Sequence, residues 1–438
     1  MTFLIIVASI IALILLITWG KINPFLAFLV VSIIAGLLLG IPLTAISKSV
    51  TKGIGDTLGT LVVVIVLGAM LGKLVAESGA AERISSSLVK TFGQKNIHWA
   101  LMLTGFIVGI PLFYNVGFVL LVPLIFSISY KYKLPAVYTG LPMLAALSVT
   151  HGFLPPHPSP AALVAQFNAN MGKTLLYGIP LAIPAIILAG PIFARTLKNI
   201  KSTPLETFQH EAIPEDKLPS AANSFFTSLM PIFILTITTS LLFIYKEDSI
   251  EKNVITFIGD PVIVMLAAVG IATFTLGINM GKSMKSVMKV YAEATKDVAL
   301  ILLIISGAGI FKQVLLDSGV SGQIAGALQT FNVHPLILGW LIAAALRLCL
   351  GSATIAGLTA AGIVAPLAVQ SHVDPNLMVL SVGAGSLLFS HVNDPGFWLF
   401  KEYFNLSIKD TIRSWSIMET IVSVVGLVGV LLLNIFVS

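Results

Sequence analysis

Long apolar runs separated by short polar joints dominate this chain, and each run is about as long as a helix needs to cross a hydrocarbon core of about 30 Å. In the first half the runs fall at 3–19, 23–40 and 58–76, followed by a polar loop carrying Lys73, Glu77, Glu82, Arg83, Lys90 and Lys95. Two apolar limbs, about 97–113 and 116–130, then meet at GIPLFYNVG (109–117) with no charge between them. A run at about 134–170 is broken by HGFLPPHPSP (151–160), and a further run occupies 174–195. Residues 196–223 form the longest polar stretch, with Pro204, Pro214 and Pro219 and charges of both signs, and read as a cytoplasmic linker.

After the linker the order repeats. Runs at 224–245, 254–278 and 295–316 precede two limbs at 334–350 and 353–370, which meet at LGSAT (350–354). A run at about 377–410, broken by SHVNDPG (390–396), and a last run at 411–436 complete the chain. His151 registers on His391 and Pro155 on Pro395 at an offset of 240 residues, and GAMLGKLVAESG (68–79) is similar to GAGIFKQVLLDSG (307–319). One unit used twice, over 1–195 and 224–438, explains the pattern. The expected fold is an all-α polytopic membrane protein made of two repeats, each with spans, a re-entrant helical hairpin and a broken helix. That gives about ten crossings plus two hairpins, or twelve to fourteen hydrophobic segments.

Composition sharpens this reading. Hydrophobic residues make up 57% of the chain and charged residues 10%, with a mean hydropathy of +1.00, against roughly 45–50% and about 25% in soluble proteins. The alternating short segments of a membrane barrel are absent from the sequence. A net charge of +6 raises nucleic-acid binding, but the basic residues sit in short loops between apolar runs, where they act as orientation signals. No basic residue precedes the first run and Lys21 follows it, so that run reads as a true span and not a cleaved signal. Cys349 is the lone cysteine, which excludes an internal disulfide.

With both limb pairs re-entrant, each half crosses five times, an odd number, so the halves are inverted relative to one another. Eighteen of the 25 basic residues, among them Lys73, Arg83, Lys131, Arg195, Lys282 and Arg413, then fall on one face. Six, Lys48, Lys52, Lys173, Lys246, Lys252 and Lys312, fall on the other, and Arg347 lies inside a limb. The richer face is cytoplasmic, which places both termini outside. Two full spans per limb pair would preserve the same sides, so the hairpin assignment rests on the tips.

Backbone groups freed by a helix break at membrane depth are tolerated only where protein or a wet cavity receives them. Four such places, LFYN, HGFLPPHP, LGSAT and SHVNDPG, fall pairwise in the two halves, the arrangement that points to a midplane substrate site in secondary transporters. Arg347 lies about 20 Å along its limb at 1.5 Å per residue and needs an anionic or carbonyl partner there. That partner is either a substrate carboxylate held by its planar fork of donors or the side chain of Asp394. Asp394 itself reads as a proton carrier or as a helix cap. His151, His157 and His391 either titrate near neutrality, bond substrate hydroxyls, or serve as structural hydrogen-bonders. Asn115, Ser352 and Thr354 at the tips, and Asn393 at the second break, are short polar groups suited to hydroxyls, to a carboxylate or to capping. Gly351 permits close backbone approach. Aromatic residues near the breaks, such as Phe113, Tyr114, Phe153, Phe397 and Trp398, read as packing or interface anchors more than as a sugar platform. The cysteine clusters and HExxH spacing of zinc sites are missing from the sequence, so no metal or cofactor is expected.

The motifs GIPLFYNVGFVLLVPL (109–124), HGFLPPHPSPAA (151–162), RLCLGSATIAGLTAAGI (347–363) and SHVNDPGFWLFKEYF (390–404) resemble those of the gluconate permease family, the gluconate:proton symporters, and the resemblance covers essentially the full chain. It implies proton-coupled uptake of gluconate or a related small organic acid across the bacterial inner membrane. The wider superfamily implies inverted repeats, re-entrant hairpins and a transport domain that moves, elevator-like, against a scaffold. Carried over, Asn115, His151, Arg347, Ser352, Thr354, His391, Asn393 and Asp394 belong to the moving part. Asn115 departs from the family, whose members often carry an acidic residue there. Proton coupling would then lean on Asp394, His391 or His157, or another coupling ion would be used. The expected partners are the organic acid, the bilayer and a second copy of the chain. The competing readings are a sodium-coupled carrier or exchanger for another hydroxy, amino or carboxylic acid, and an intramembrane enzyme using the His and Asp residues. The paired half-sites disfavour the enzyme.

Overall fold

A computed structural model describes residues 2–109, 114–155, 157–202, 218–242, 245, 249–320, 322–323, 326, 333–370 and 373–437. Among the described residues the chain is helical throughout, without strands. The helices of the first half are α1 (Thr2–Thr18), α2 (Pro24–Leu38), α3 (Leu43–Glu77), α4 (Ala80–Phe92), α5 (Ile97–Gly109), α6 (Tyr114–Tyr132), α7 (Ala136–Phe153), α8 (Pro158–Gln166) and α9 (Met171–Leu197). Those of the second are α10 (Ala221–Leu242), α11 (Ile250–Ile258), α12 (Pro261–Met280), α13 (Met284–Asp317), α14 (Pro335–Leu350), α15 (Ala353–Gln370), α16 (Pro375–Gly385), α17 (Pro395–Tyr403) and α18 (Ile408–Val437). By length and composition α3, α9, α12, α13 and α18 can each cross a membrane, and α1, α2, α5, α14 and parts of α6 and α15 are shorter apolar helices.

A polar residue followed by proline marks where many of these helices begin. Asn23, Asp260, His334, Asp374 and Asp394 each precede a proline and accept a backbone N–H of the first turn. The side chain satisfies an orphan donor, while proline occupies the one position where its missing N–H is harmless. Within α9, α12 and α18 the ladder widens to π-helical turns at Leu188–Ile192, Thr273–Gly277 and Ile412–Ser416.

Four places differ from the sequence reading. α3 and α13 start at Leu43 and Met284, well before the apolar runs expected at 58–76 and 295–316. Their first turns carry Lys48, Lys52 and Asp56, or Lys285, Lys289 and Glu293, so these 35- and 34-residue helices continue past the apolar stretch. The polar loop after α3 contains the amphipathic α4, whose Ala80, Ala81 and Ile84 are buried. The run at 254–278 divides at Gly259–Asp260 into α11 and α12. Residues 110–113 of the first tip, Pro156 of the first break and 203–217 of the linker lie outside the described residues.

The long helices α3 and α13 pack along one another in opposite directions, Gly53 against Gly309 near one end and Lys73 against Glu293 and Asp297 near the other. A Cβ on Gly53 would lie 2.7 Å from the Gly309 carbonyl oxygen, and one on Gly309 equally close to that of Gly53. Only glycine permits this approach. Packing is crosswise: α2 lies on α13 and α12 on α3, and α8 of the first half touches α15 of the second. The break helices α7 and α16 meet where Gly152 faces Leu387 and Gly383 faces Phe153. This brings both breaks and the second limb tip to one place.

Candidate functional site

The second break is held open by side chains. Phe389, four residues past the end of α16, has a φ of +42°, unfavourable for a bulky residue. Freed groups then find partners: Trp398 Nε1 donates to the Val392 carbonyl at 2.6 Å, and the Ser416 hydroxyl donates to that of Ser390. Trp415 Nε1 donates to Ser390 Oγ at 2.8 Å. Ser416 and Trp415 both come from the π-helical turn of α18, so the widened turn supplies donors at the break.

Asp394 is the N-cap of α17. Its Oδ1 accepts the Gly396 N–H at 2.8 Å, and its Oδ2 accepts from Ser390 Oγ and from Arg347 Nη2. The pair is buried, with the Arg347 side chain 4% and the Asp394 side chain 11% exposed. Arg347 Nε and Nη1 are buried and make no hydrogen bond. One corner of the guanidinium is neutralised while most of its donor fork stays open.

His391 and Asn393 turn the other way. Asn393 Nδ2 donates to the Leu348 and Cys349 carbonyls at 2.8 and 3.0 Å, and His391 Nε2, facing the Leu348 carbonyl at 2.9 Å, must carry its proton to bond it. They satisfy carbonyls that the end of α14 leaves unpaired. In the first half His157 Nε2 does the same for Gly109 at the end of α5, at 2.6 Å. Gly351 closes α14 at φ +69°, and a Cβ there would lie 2.1 Å from the Asn393 carbonyl oxygen. Tip and break therefore interlock through backbone.

Between tip, breaks and long helices lies a cavity of about 500 Å³, within the size range of small-molecule sites. Of the residues singled out from sequence, Asn115, His151, Arg347, Gly351, Ser352, Thr354 and Asp394 line it. His157, His391 and Asn393 are absent from its wall and face limb carbonyls instead. Sequence reasoning passes over Tyr114 as packing and omits Ser148, Trp415 and Glu419, all of which line the cavity, together with Asp56 and Lys312 from the long helices. Glu419 had a visible signal: it is the one acidic residue within the last apolar run at 411–436, and intramembrane carboxyls are functional candidates by default. The Tyr114 hydroxyl and His151 Nδ1 are buried without hydrogen-bond partners, as are the two Arg347 nitrogens. These cavity residues can bond an anionic head and several hydroxyls at once. Among the described residues no group of His, Cys, Asp or Glu could hold a metal ion.

The sequence matches the profile of the GntP family permease over residues 1–436. It is 50% identical over 435 residues to the high-affinity gluconate transporter of Escherichia coli (strain K12), covering 99% of each chain. It is 45% identical over 433 residues to the Gnt-II system L-idonate transporter of the same organism, covering 98% of this chain and 99% of that one. Among solved structures it resembles the YdaH transporter of Alcanivorax borkumensis, with a TM-score of 0.45 and 16% identity over 95% of this chain and 98% of that one.

Proposed function

The chain belongs to the GntP permease family, and from that premise we propose that it imports gluconate or a stereoisomeric sugar acid such as L-idonate together with a proton, by alternating access. It is a multi-pass membrane transporter and not an enzyme. One observation carries the substrate reading. Buried polar groups left unpartnered on Arg347, Tyr114 and His151 gather around one cavity, whereas unmatched buried polar groups are rare and costly unless a ligand meets them. The open fork of Arg347 suits a carboxylate. Tyr114, His151, Asn115, Ser352 and Thr354 suit the hydroxyls of a polyol chain.

The inverted topology, with two hairpins and an inner-membrane location, belongs to the same proposal. Its support is the consistency of contacts. The ion pairs Lys73–Glu293, Lys73–Asp297, Lys282–Glu77 and Lys131–Glu82 join loops and helix ends that the charge count assigns to the cytoplasm. Lys173–Asp374 joins loops assigned outside. Asp56 and Lys312, in the portions of α3 and α13 assigned to the outer side, border the cavity, so this conformation is read as outward-facing. An elevator-like shift of tips and breaks against α3 and α13 would then expose the site inward.

The experiment is uptake into proteoliposomes over a panel of labelled sugar acids, with pH and sodium gradients imposed separately. Gluconate or idonate accumulation driven by a pH gradient is expected. Strict dependence on sodium with indifference to pH would sink proton coupling, and preference for an amino acid would sink the substrate reading.

A further inference from the structure

Three acidic residues line the cavity, and they differ in what matches their charge. Asp56 is paired with Lys52, and Asp394 with Arg347. Glu419 pairs with no basic group among the described residues. It is 2% exposed, its Oε1 accepts the Ser148 hydroxyl at 2.7 Å, and its Oε2 is buried without a partner. Eleven residues into α18, it lies about 17 Å along the helix, near the middle of a core of about 30 Å.

A carboxyl in this setting is stable as the neutral acid and needs water or a cation to ionise. The other titratable groups facing the cavity come from α3 (Asp56), α6 (Tyr114), α7 (His151), α13 (Lys312), α14 (Arg347) and the break before α17 (Asp394). The Arg347–Asp394 and Lys52–Asp56 pairs are each neutral as a unit, which leaves Lys312 as the cation lining the cavity that can offset the charge of a bound sugar-acid anion. A second negative charge on Glu419 in the same cavity would oppose that anion. A proton on Glu419 removes the opposition, and by linkage the anion favours the proton equally.

We propose that Glu419 carries the coupled proton, taken up from outside water with the substrate and released inside, with Ser148 as the hydroxyl that holds its side chain on the cavity wall. This rests on the reading of the chain as a proton-coupled sugar-acid carrier. It moves the coupling role away from Asp394, whose carboxylate is committed to Arg347, Ser390 and the first turn of α17. It likewise moves it from His157 and His391, whose ring N–H groups are committed to carbonyls.

The test compares wild type, Glu419→Gln, Glu419→Asp and Ser148→Ala in proteoliposomes loaded with gluconate, then with idonate. With one proton per anion, wild type should accumulate about tenfold per unit of pH gradient. Glu419→Gln should lose this accumulation and the pH dependence of uptake, while slower but measurable counterflow persists. Glu419→Asp should keep accumulation. PH-driven accumulation by Glu419→Gln at the wild-type level overturns the proposal. If that variant does not fold, Ser148→Ala decides: its uptake should show a displaced pH midpoint, and an unmoved profile overturns the proposal. The premise fails in ways that look different. Wild type without counterflow of either acid refutes the substrate reading, and counterflow without pH-driven accumulation refutes proton coupling. Either result removes the role assigned to Glu419.

Discussion

Arg347 and Asp394, 47 residues apart in sequence, form a buried ion pair that ties the tip of α14 to the first turn of α17. The same carboxylate caps the helix that follows the break, and the same guanidinium keeps two buried nitrogens unmatched. A structural pair and an open anion site therefore coexist in one arginine. The two sides of this residue should separate under mutation.

Arg347→Ala leaves Asp394 buried without its countercharge, and breaking a buried pair in this way costs about 3–5 kcal/mol. Arg347→Lys keeps a positive charge for Asp394 but removes the planar fork. The expected outcome is a lower melting temperature in detergent for the alanine variant only. Both variants should lose sugar-acid uptake, the lysine variant through a KM raised at least about tenfold, equivalent to about 1.4 kcal/mol. Near-normal KM in Arg347→Lys would rule against a carboxylate bound by the fork.

Gly351→Ala tests the interlock between tip and break. The left-handed backbone costs a non-glycine residue about 1–2 kcal/mol, and the new methyl would sit 2.1 Å from the Asn393 carbonyl oxygen, which forces a shift worth about 1–3 kcal/mol more. Because Asn393 and His391 hold the Leu348 and Cys349 carbonyls, that shift spreads to the Arg347 end of α14. Uptake should fall with stability, read by transport and thermal melting on the same preparation. An alanine variant with wild-type values for both would mean that the tip and break separate freely.

The element order was legible because the bilayer fixes the length of apolar runs and excludes charge from them, so run, joint and break can be read along the chain. Amphipathic structure was less visible. α4 looks polar in one dimension and reveals its buried Ala80, Ala81 and Ile84 only when wound into a helix. The site was partly legible. Residues at breaks announce themselves by composition, which is how Arg347, Asp394, His151 and the LGSAT tip stand out. Whether a polar side chain then faces the cavity or a limb carbonyl depends on how tip and break dock, and sequence spacing does not encode that. Glu419 and Ser148 lie inside the helices α18 and α7 and not at a break, and they meet only through packing.

Lys173 and Asp374, on the face assigned outside, predict an acid-sensitive tie between α9 and α16. Burial alone would push the Asp374 carboxyl up, but hydrogen bonds from Lys173 and Asn376 outweigh it and hold the group below its ordinary value. A depressed carboxylate contributes stability that is fully present above its unfolded value and is lost as pH falls through the folded one. Melting temperature should therefore decline below the ordinary carboxylate range, and Asp374→Asn should show a shallower decline. Equal acid profiles for the two proteins would show that the tie contributes nothing.

Membrane potential offers the most direct check on stoichiometry. Moving one net charge through 100 mV is worth about 2.3 kcal/mol, which corresponds to roughly fifty-fold in accumulation ratio. A sugar-acid monoanion entering with one proton carries no net charge, and the neutral Arg347–Asp394 pair adds none if it moves with the site. Accumulation should therefore follow the pH gradient and stay unchanged when a potassium diffusion potential is imposed with valinomycin at constant pH. An inside-negative potential that raises accumulation by tens of fold would require two protons per anion. Glu419 would then need a second carrier, for which His151, buried on the cavity wall with Nδ1 unpartnered, is the available group.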